Sequence, residues 1–301
     1  MDALPESGPV EDPWNERRFP HAPLETERIR PFLGNREILS CALLSGGACN
    51  SNYRIRLSTG EDYVVRLYRR GSPLLEQRAM ALVKKLLPVP EVLQAGEGWA
   101  VMRFLPGVQL REAPEAAASA ARALAVVGTV GFPSAGELLP DGSVRPWPFR
   151  GLRGFMALCL EKPGVRGRLG LDAVHGIERL LEREDGRLSE IEAESRLVHG
   201  DFNPRNILVS EGEVSGILDW EFAHSGSPWE DVGNLLRHQA PGSLRAVEEG
   251  LREGGMSLPP DWRRRADLAD LSSHLEFLDS TLSEAWKERC VARVRALLEP
   301  R

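Results

Sequence analysis

A chain of 301 residues is long enough for two separate cores. Its 42% hydrophobic and 27% charged content is that of a globular protein and excludes a disordered chain or a fibre. A formal charge of −6 argues against a nucleic-acid binder, which needs a basic face.

Residues 1 to 23 are rich in Pro and Glu without a period and read as a loose arm, with Trp14 or Phe19 pinned to the body. The opening MDALPESGPVEDPW has acids and prolines where a secretory signal has basic and then apolar residues. From Ile38 the pattern changes. CALLSGGACNSNYRIRL reads as strand, glycine turn, strand, and DYVVRLYR as a third strand. Pro73 opens a helix that places Leu75, Ala79, Leu82, Val83 and Leu86 on one face. VPEVLQAGEGWAVMRFL reads as two further strands around a Gly turn, so the whole is a small α+β lobe.

Leu105-Pro106-Gly107 breaks this pattern and marks a boundary. The Ala-rich EAAASAARALAVV is expected to be helical. The apolar run from Ala123 to Phe132 is broken by Gly128 and Gly131 and is too short to span a bilayer. Residues 131 to 170 hold many Gly and Pro and carry no legible period. Asp172 to Glu194 reads as a charged helical stretch, and LVHGDFNPRNILV and VSGILDW as two β-rich pieces. Beyond them Leu268, Leu271, Leu275, Leu278 and Leu282 form one helical stripe, which is a core face. Cys41, Cys49, Cys159 and Cys290 show neither a CxxC pair nor zinc spacing. Reduced thiols in a cytoplasmic, unexported protein are therefore expected.

The chemistry concentrates in His199-Gly200-Asp201-Phe202-Asn203-Pro204-Arg205-Asn206, followed by Asp219-Trp220. A carboxylate on a short loop can take a proton from a hydroxyl. An amide oxygen five residues later can reach a metal, and a second carboxylate at a strand end can complete the metal site. Each Asp alone would read as a turn or cap residue, and it is the combination that carries the argument.

This pattern resembles the aminoglycoside-phosphotransferase and choline-kinase group, relatives of the protein kinases. His199, Asp201 and Asn206 match the group's H-x-D-x-x-x-x-N loop, and Asp219 matches its metal-binding Asp. The resemblance implies a bilobal, protein-kinase-like α+β fold. Its small lobe would be an antiparallel sheet and its larger lobe mainly helical. It divides the chain into an N-terminal arm (1–37), a nucleotide-binding lobe (38–105) and a catalytic and acceptor-binding lobe (106–301). It implies ATP and Mg²⁺ as cofactors and a small-molecule hydroxyl acceptor as partner, with no nucleic acid and no membrane. Asp201 would be the base, Asn206 and Asp219 the metal ligands, and His199 a brace. Asp231, in Ser227-Pro228-Trp229-Glu230-Asp231-Val232, would start a helix and fix the loop.

In the small lobe, Gly47, Ala48 and Asn50 match the group's glycine loop, where backbone N–H groups approach phosphate. Arg66 stands where the kinase pattern has Lys, and Glu76 where its acidic partner belongs. Arg103 and Leu105 would hold adenine through main-chain groups. For Arg66 the plain alternative is a solvated strand arginine, and for Glu76 a surface residue near a helix start.

Three other readings compete. A nucleotide-binding scaffold without turnover does not need all three polar groups that phosphoryl transfer requires. A protein kinase would need D-F-G and, after Asp219, an A-P-E segment, and a P-loop enzyme G-x-x-x-x-G-K-[ST]; the chain has no D-F-G, no A-P-E after Asp219 and no P-loop motif. The resemblance implies a cationic acceptor, an aminoglycoside-like antibiotic foremost, and acidic residues Glu221, Glu230, Glu276, Asp279 and Glu284, with Asp231 committed to bracing, point the same way.

Overall fold

The computed structural model describes residues 17, 19–44, 47, 49–239 and 241–299. Ala48 and Trp14 lie outside them, as do Ser45 and Gly46.

Five strands form one antiparallel sheet ordered β1-β2-β3-β5-β4. They are β1 (Ile38–Leu43), β2 (Ser51–Leu57), β3 (Asp62–Leu67), β4 (Val92–Gly96) and β5 (Trp99–Arg103). A short helix, α1 (Arg30–Leu33), precedes them, and α2 (Pro73–Val83) joins β3 to β4. Side chains alternate along β3, so Tyr63, Val65 and Leu67 enter a core with Ile55, Leu57 and Val101. Arg66 therefore takes the opposite face. The same core holds Ile29 and Leu33, so this part of the expected arm is built into the lobe. A four-residue helix is too short to show a period, which is why the sequence pattern missed it.

Ser72 caps α2, its Oγ accepting from Leu75 N at 3.4 Å, and Pro73 takes the first helical position. The helix stops at Val83. Leu86, expected on its apolar face, lies past the end and is 56% exposed.

The remaining chain surrounds a second, larger core. It contains two small antiparallel sheets. One has the order β11-β10-β6, from β6 (Val108–Gln109), β10 (Ile207–Ser210) and β11 (Glu213–Ile217). The other has the order β8-β7-β12-β9, from β7 (Gly136–Leu138), β8 (Val144–Arg145), β9 (Arg196–Val198) and β12 (His224–Gly226). The Ala-rich segment is α3 (Ala117–Val127). Residues 131–170, unassigned from sequence, supply β7, β8, α4 (Gly151–Glu161) and α5 (Pro163–Leu169). Lys162 ends α4 and Pro163 starts α5, so the Gly and Pro residues that hid the period are themselves helix boundaries. The charged stretch divides at Glu184 into α6 (Leu171–Arg183) and α7 (Asp185–Glu192).

Four helices complete the chain: α8 (Pro228–Arg237), α9 (Leu244–Glu253), α10 (Trp262–Leu278) and α11 (Glu284–Leu298). Leu268, Leu271, Leu275 and Leu278 are buried on α10, but Leu282 belongs to the link before α11. Small residues let two helix pairs approach closely. A Cβ on Gly250 of α9, or on Gly254 just past its end, would collide with α3 at Ala118 or Arg122, and one on Gly233 of α8 would come within 2.6 Å of Ala266 O on α10. No helix of the described residues is long and apolar enough to cross a membrane.

Candidate active site

Buried Leu197 and Val198 end β9 and deliver the loop that carries Asp201. Gly200 adopts φ +81, and a Cβ there would meet Phe222 O at 2.5 Å, so the loop's turn admits only glycine. His199 is fully buried. Its Nδ1 accepts from Asp201 N at 3.2 Å, so Nε2 carries the proton and donates to Leu218 O at 2.9 Å. Burial holds its pKa down at about 4, against the pull of the Leu218 carbonyl and Asp219. The ring stays neutral and acts as a strut between the two polar loops. Asp231, in the first turn of α8, accepts from His199 N at 2.6 Å and Gly200 N at 3.0 Å. Its carboxyl is pushed up to about 7 by burial, while the two N–H donors oppose that shift.

Both oxygens of Asp201 are held. Oδ1 accepts from Asn203 Nδ2 and Oδ2 from Asn206 Nδ2, each at 2.8 Å. Burial and then the charge of Asp219 raise its pKa to about 6; the two amides and Arg237 oppose the rise. With the Asn206 amide nitrogen engaged on Asp201, its oxygen is the end suited to a cation. Leu218 N donates to Asn206 O at 2.7 Å, which ties the end of β11 to the loop. Asp219 follows with φ +66, a left-handed conformation that is rare for a residue with a side chain and concentrates at functional sites.

Arg66 crosses from the five-stranded sheet to this loop. Its Nη2 lies 2.5 Å from Asp219 Oδ1 and 3.9 Å from Glu221, and its Nε lies 3.5 Å from Glu76. Arg66 is 6% exposed and Glu76 1% exposed, so neither is the solvated surface residue that the plain alternative required. Glu76 also accepts from Trp220 N at 3.2 Å and from the Tyr68 hydroxyl. Burial pushes the Glu76 carboxyl up against the pull of Arg66. Glu221 rises to about 7, first from burial and then from the charge of Asp219.

Asn50 is a correction to the expected nucleotide contacts. Its Oδ1 accepts from Arg69 N at 2.9 Å and Arg70 N at 3.2 Å, and its Nδ2 donates to Glu221 at 3.2 Å. Both ends are engaged within the protein, so Asn50 braces the loop and does not present its amide to a ligand. Gly47 has φ +82, and Ala48 is among the undescribed residues. The Arg103 N–H donates to Glu91 O at 2.9 Å, which leaves its carbonyl, not its amide, for a ligand. Leu105 precedes Pro106, whose carbonyl accepts from Ser215 Oγ at 2.8 Å.

Sequence reasoning missed Arg17 and Tyr68. Arg17 donates to the carbonyls of Gly47 at 2.9 Å, Cys49 at 3.2 Å and Asn50 at 3.0 Å, holding the glycine turn from outside. Nothing local marks such a residue. Tyr68 lies two positions after Arg66, so strand alternation put it on the same side.

The acids invoked for a cationic acceptor do not gather in one place. Glu221 joins the Arg66 cluster. Glu230 accepts from Ser227 N at 2.9 Å at the start of α8 and pairs with His224 at 3.2 Å. Asp279 pairs with Lys162 at 3.2 Å, Glu284 with Arg168 and Lys287, and Glu276 is exposed.

The donor set suits Mg²⁺, a hard cation that takes one or two protein oxygens and fills its remaining positions with phosphate and water. Asn206 and Asp219 offer those oxygens. No group of three His, Cys, Asp or Glu residues that could hold a metal occurs among the described residues, so an all-protein cage is not the arrangement here.

A family model described as the phosphotransferase enzyme family matches residues 40–268. A homoserine kinase of Gluconacetobacter diazotrophicus is 31% identical over 224 residues, which cover 65% of this chain and 64% of the relative. A hygromycin-B 4-O-kinase of Escherichia coli is 22% identical over 191 residues, 59% of this chain and 56% of the relative. The chain thus spans less than two thirds of the length of either. Among solved structures, a macrolide 2'-phosphotransferase from Brachybacterium faecium superposes with a TM-score of 0.66 at 19% identity, covering 91% of this chain and 98% of its own. An aminoglycoside phosphotransferase superposes with a TM-score of 0.64 at 18% identity, covering 91% and 97%. At these identities the structures establish a shared fold, the bilobal α+β architecture described above.

Proposed function

Because the chain belongs to the phosphotransferase enzyme family, we propose that it is an ATP- and Mg²⁺-dependent kinase that moves the γ-phosphoryl group to a hydroxyl of a small molecule. The observation that carries this reading is the Asp201–Asn206–Asp219 constellation: a carboxylate clamped by two amides, an Asn whose amide nitrogen is engaged on that carboxylate, and a left-handed Asp paired with Arg66. Asp201 orients the acceptor hydroxyl and takes its proton. Asn206 and Asp219 would hold Mg²⁺, which supplies charge neutralisation between the β- and γ-phosphates when bound. Arg66 binds the α- or β-phosphate, steadied by Glu76. Gly47 lies under the phosphates, and Leu105 with the Arg103 carbonyl meets adenine. His199 and Asp231 keep the loop in register. The catalysis is positioning and electrostatics.

In this proposal residues 38–105 form the nucleotide-binding lobe and 106–301 the catalytic and acceptor lobe. The four cysteines are free, which supports a cytoplasmic setting. A scaffold without turnover would not need the Asp201 clamp. For the expected aminoglycoside-like, cationic acceptor the family resemblance remains the support, since Glu221, Glu230, Asp279 and Glu284 are engaged within the protein.

The test is turnover of Mg–ATP with a panel of hydroxyl compounds. Asp201→Asn is expected to lower kcat by about 10²–10⁴-fold, the usual worth of a positioned base, with nucleotide affinity kept. Asp219→Asn is expected to weaken Mg²⁺-dependent nucleotide binding. Near-full turnover in Asp201→Asn would sink the assignment.

A further inference from the structure

Beside the catalytic loop, α8, α10 and α11 enclose a cluster of arginines that phosphoryl transfer as described does not use. Arg237 sits at the end of α8, six residues after Asp231, or about 9 Å along the helix. It forms a two-pronged pair with Asp270 of α10, Nε lying 3.1 Å and 3.2 Å from the two oxygens. His274 bonds the same carboxylate at 2.9 Å, so Asp270 is fully engaged. Arg289 and Arg293 of α11 face this pair with no carboxylate of their own among the described residues. Arg293 donates to the Arg237 carbonyl at 2.7 Å and is exposed to solvent. Arg289 lies over the Trp286 ring at 4.8 Å, and its Nε and Nη2 are sealed from solvent with no hydrogen-bond partner among the described residues.

The surroundings are those of a ligand site. Phe277 and Trp286 meet edge to face with centroids 6.1 Å apart, and Arg237 lies 5.1 Å over Phe277. His238 stacks on Trp286 at 6.1 Å. Burial, followed by the charges of Arg237 and Arg293, drives the His238 pKa down to about 3, with Arg205 of the catalytic loop adding to the effect. The charges of Arg237, Arg293 and Arg205 thus all reach His238, and Asp270 opposes them. Arg237 holds Asp270 with His274, which leaves Arg289 and Arg293 without a carboxylate among the described residues, and sealed N–H donors without acceptors, as on Arg289, are costly. An incoming anion would relieve both.

We infer that this arginine cluster binds the acceptor, and that the acceptor carries an anionic group, a carboxylate or a phosphate, along with the hydroxyl that is phosphorylated. The inference rests on the kinase reading above. The anion sits among Arg237, Arg289 and Arg293, with the aromatic rings flanking its carbon skeleton. That arrangement directs the hydroxyl back toward Asp201. In the transfer, the hydroxyl oxygen forms the new P–O bond, the bond to the leaving ADP breaks, and the hydroxyl proton passes to Asp201.

The purified full chain with Mg–ATP is assayed on four matched three-carbon probes: glycerate, glycerol 3-phosphate, glycerol and 3-amino-1,2-propanediol. At least one anionic probe is expected to exceed the neutral and cationic ones by roughly tenfold or more in kcat/KM, as bonding to charged donors implies. Glycerate against glycerol 3-phosphate separates the two anion types. Arg289→Gln and Arg293→Gln, on the rim and not in the Asp270 pair, are expected to erase most of that preference, raising KM for the acceptor more than for ATP. Equal or no turnover of the anionic probes, or preference for glycerol or the amine, overturns the anion-binding cluster. The kinase reading falls on a different result, failure to bind a Mg–ATP analogue.

Discussion

The two charge clusters that flank the catalytic loop are opposites. On the sheet side one cation, Arg66, is shared by Glu76, Asp219 and Glu221. On the helical side one carboxylate, Asp270, serves Arg237 while Arg289 and Arg293 stand by. Each is unbalanced as it stands, in opposite senses. A buried charge imbalance is costly unless something neutralises it, so each cluster is a demand for a partner of the missing sign. The sheet side calls for a divalent cation that brings phosphate with it, and the helical side for an anion. The fold thus sorts its two proposed substrates by charge before shape is considered.

That contrast can be broken most severely on the helical side. Asp270→Ala leaves Arg237 buried without its carboxylate partner, and losing one member of a buried pair costs about 3–5 kcal/mol. Urea denaturation is expected to show that loss, and a double replacement by apolar residues to recover much of it. A loss below about 1 kcal/mol would mean the pair is not isolated from water as described.

The sheet side should respond through function more than stability. Arg66→Ala is expected to raise the KM for ATP roughly tenfold or more, hydrogen bonds to charged groups being worth about 1.5–3 kcal/mol, with a smaller change for the acceptor. An equal change in both KM values would detach Arg66 from the phosphates.

A balanced pair gives the control. Burial disfavours the charged form of His224, but Glu230 outweighs it and raises the pKa to about 9. A folded pKa above the ordinary 6.5 means that this stabilisation is complete below about pH 6.5 and lost as pH rises through about 9. The melting temperature is expected to fall between pH 7 and 9.5, by less in His224→Gln. Parallel melting curves for the two proteins across that range would show that the pair is not formed in solution.

Much of the first cluster was legible in residue order. H-x-D-x-x-x-x-N and the following Asp219 depend on loop spacing, which is local, and the strands around Arg66 alternate as strands must. Asn50 shows where spacing stops short: its position was legible, its bracing bonds to Arg69, Arg70 and Glu221 were not.

By itself, then, the sequence determined the strands of the small lobe with their glycine turn, the loop that carries Asp201 and Asn206, and the chemical types at each of its positions. Only tertiary structure decided what meets what. Arg66 and Asp219 are 153 residues apart, and Arg17 reaches the glycine turn from outside every motif. Arg237, Arg289 and Arg293 belong to no motif, and helical periodicity assigns polar residues to the outer face. Close approach of α8 to α10 at Gly233, with α11 completing the enclosure, turns that face inward. A helix's period records which residues share a side, and only the packing of its neighbours settles what that side confronts.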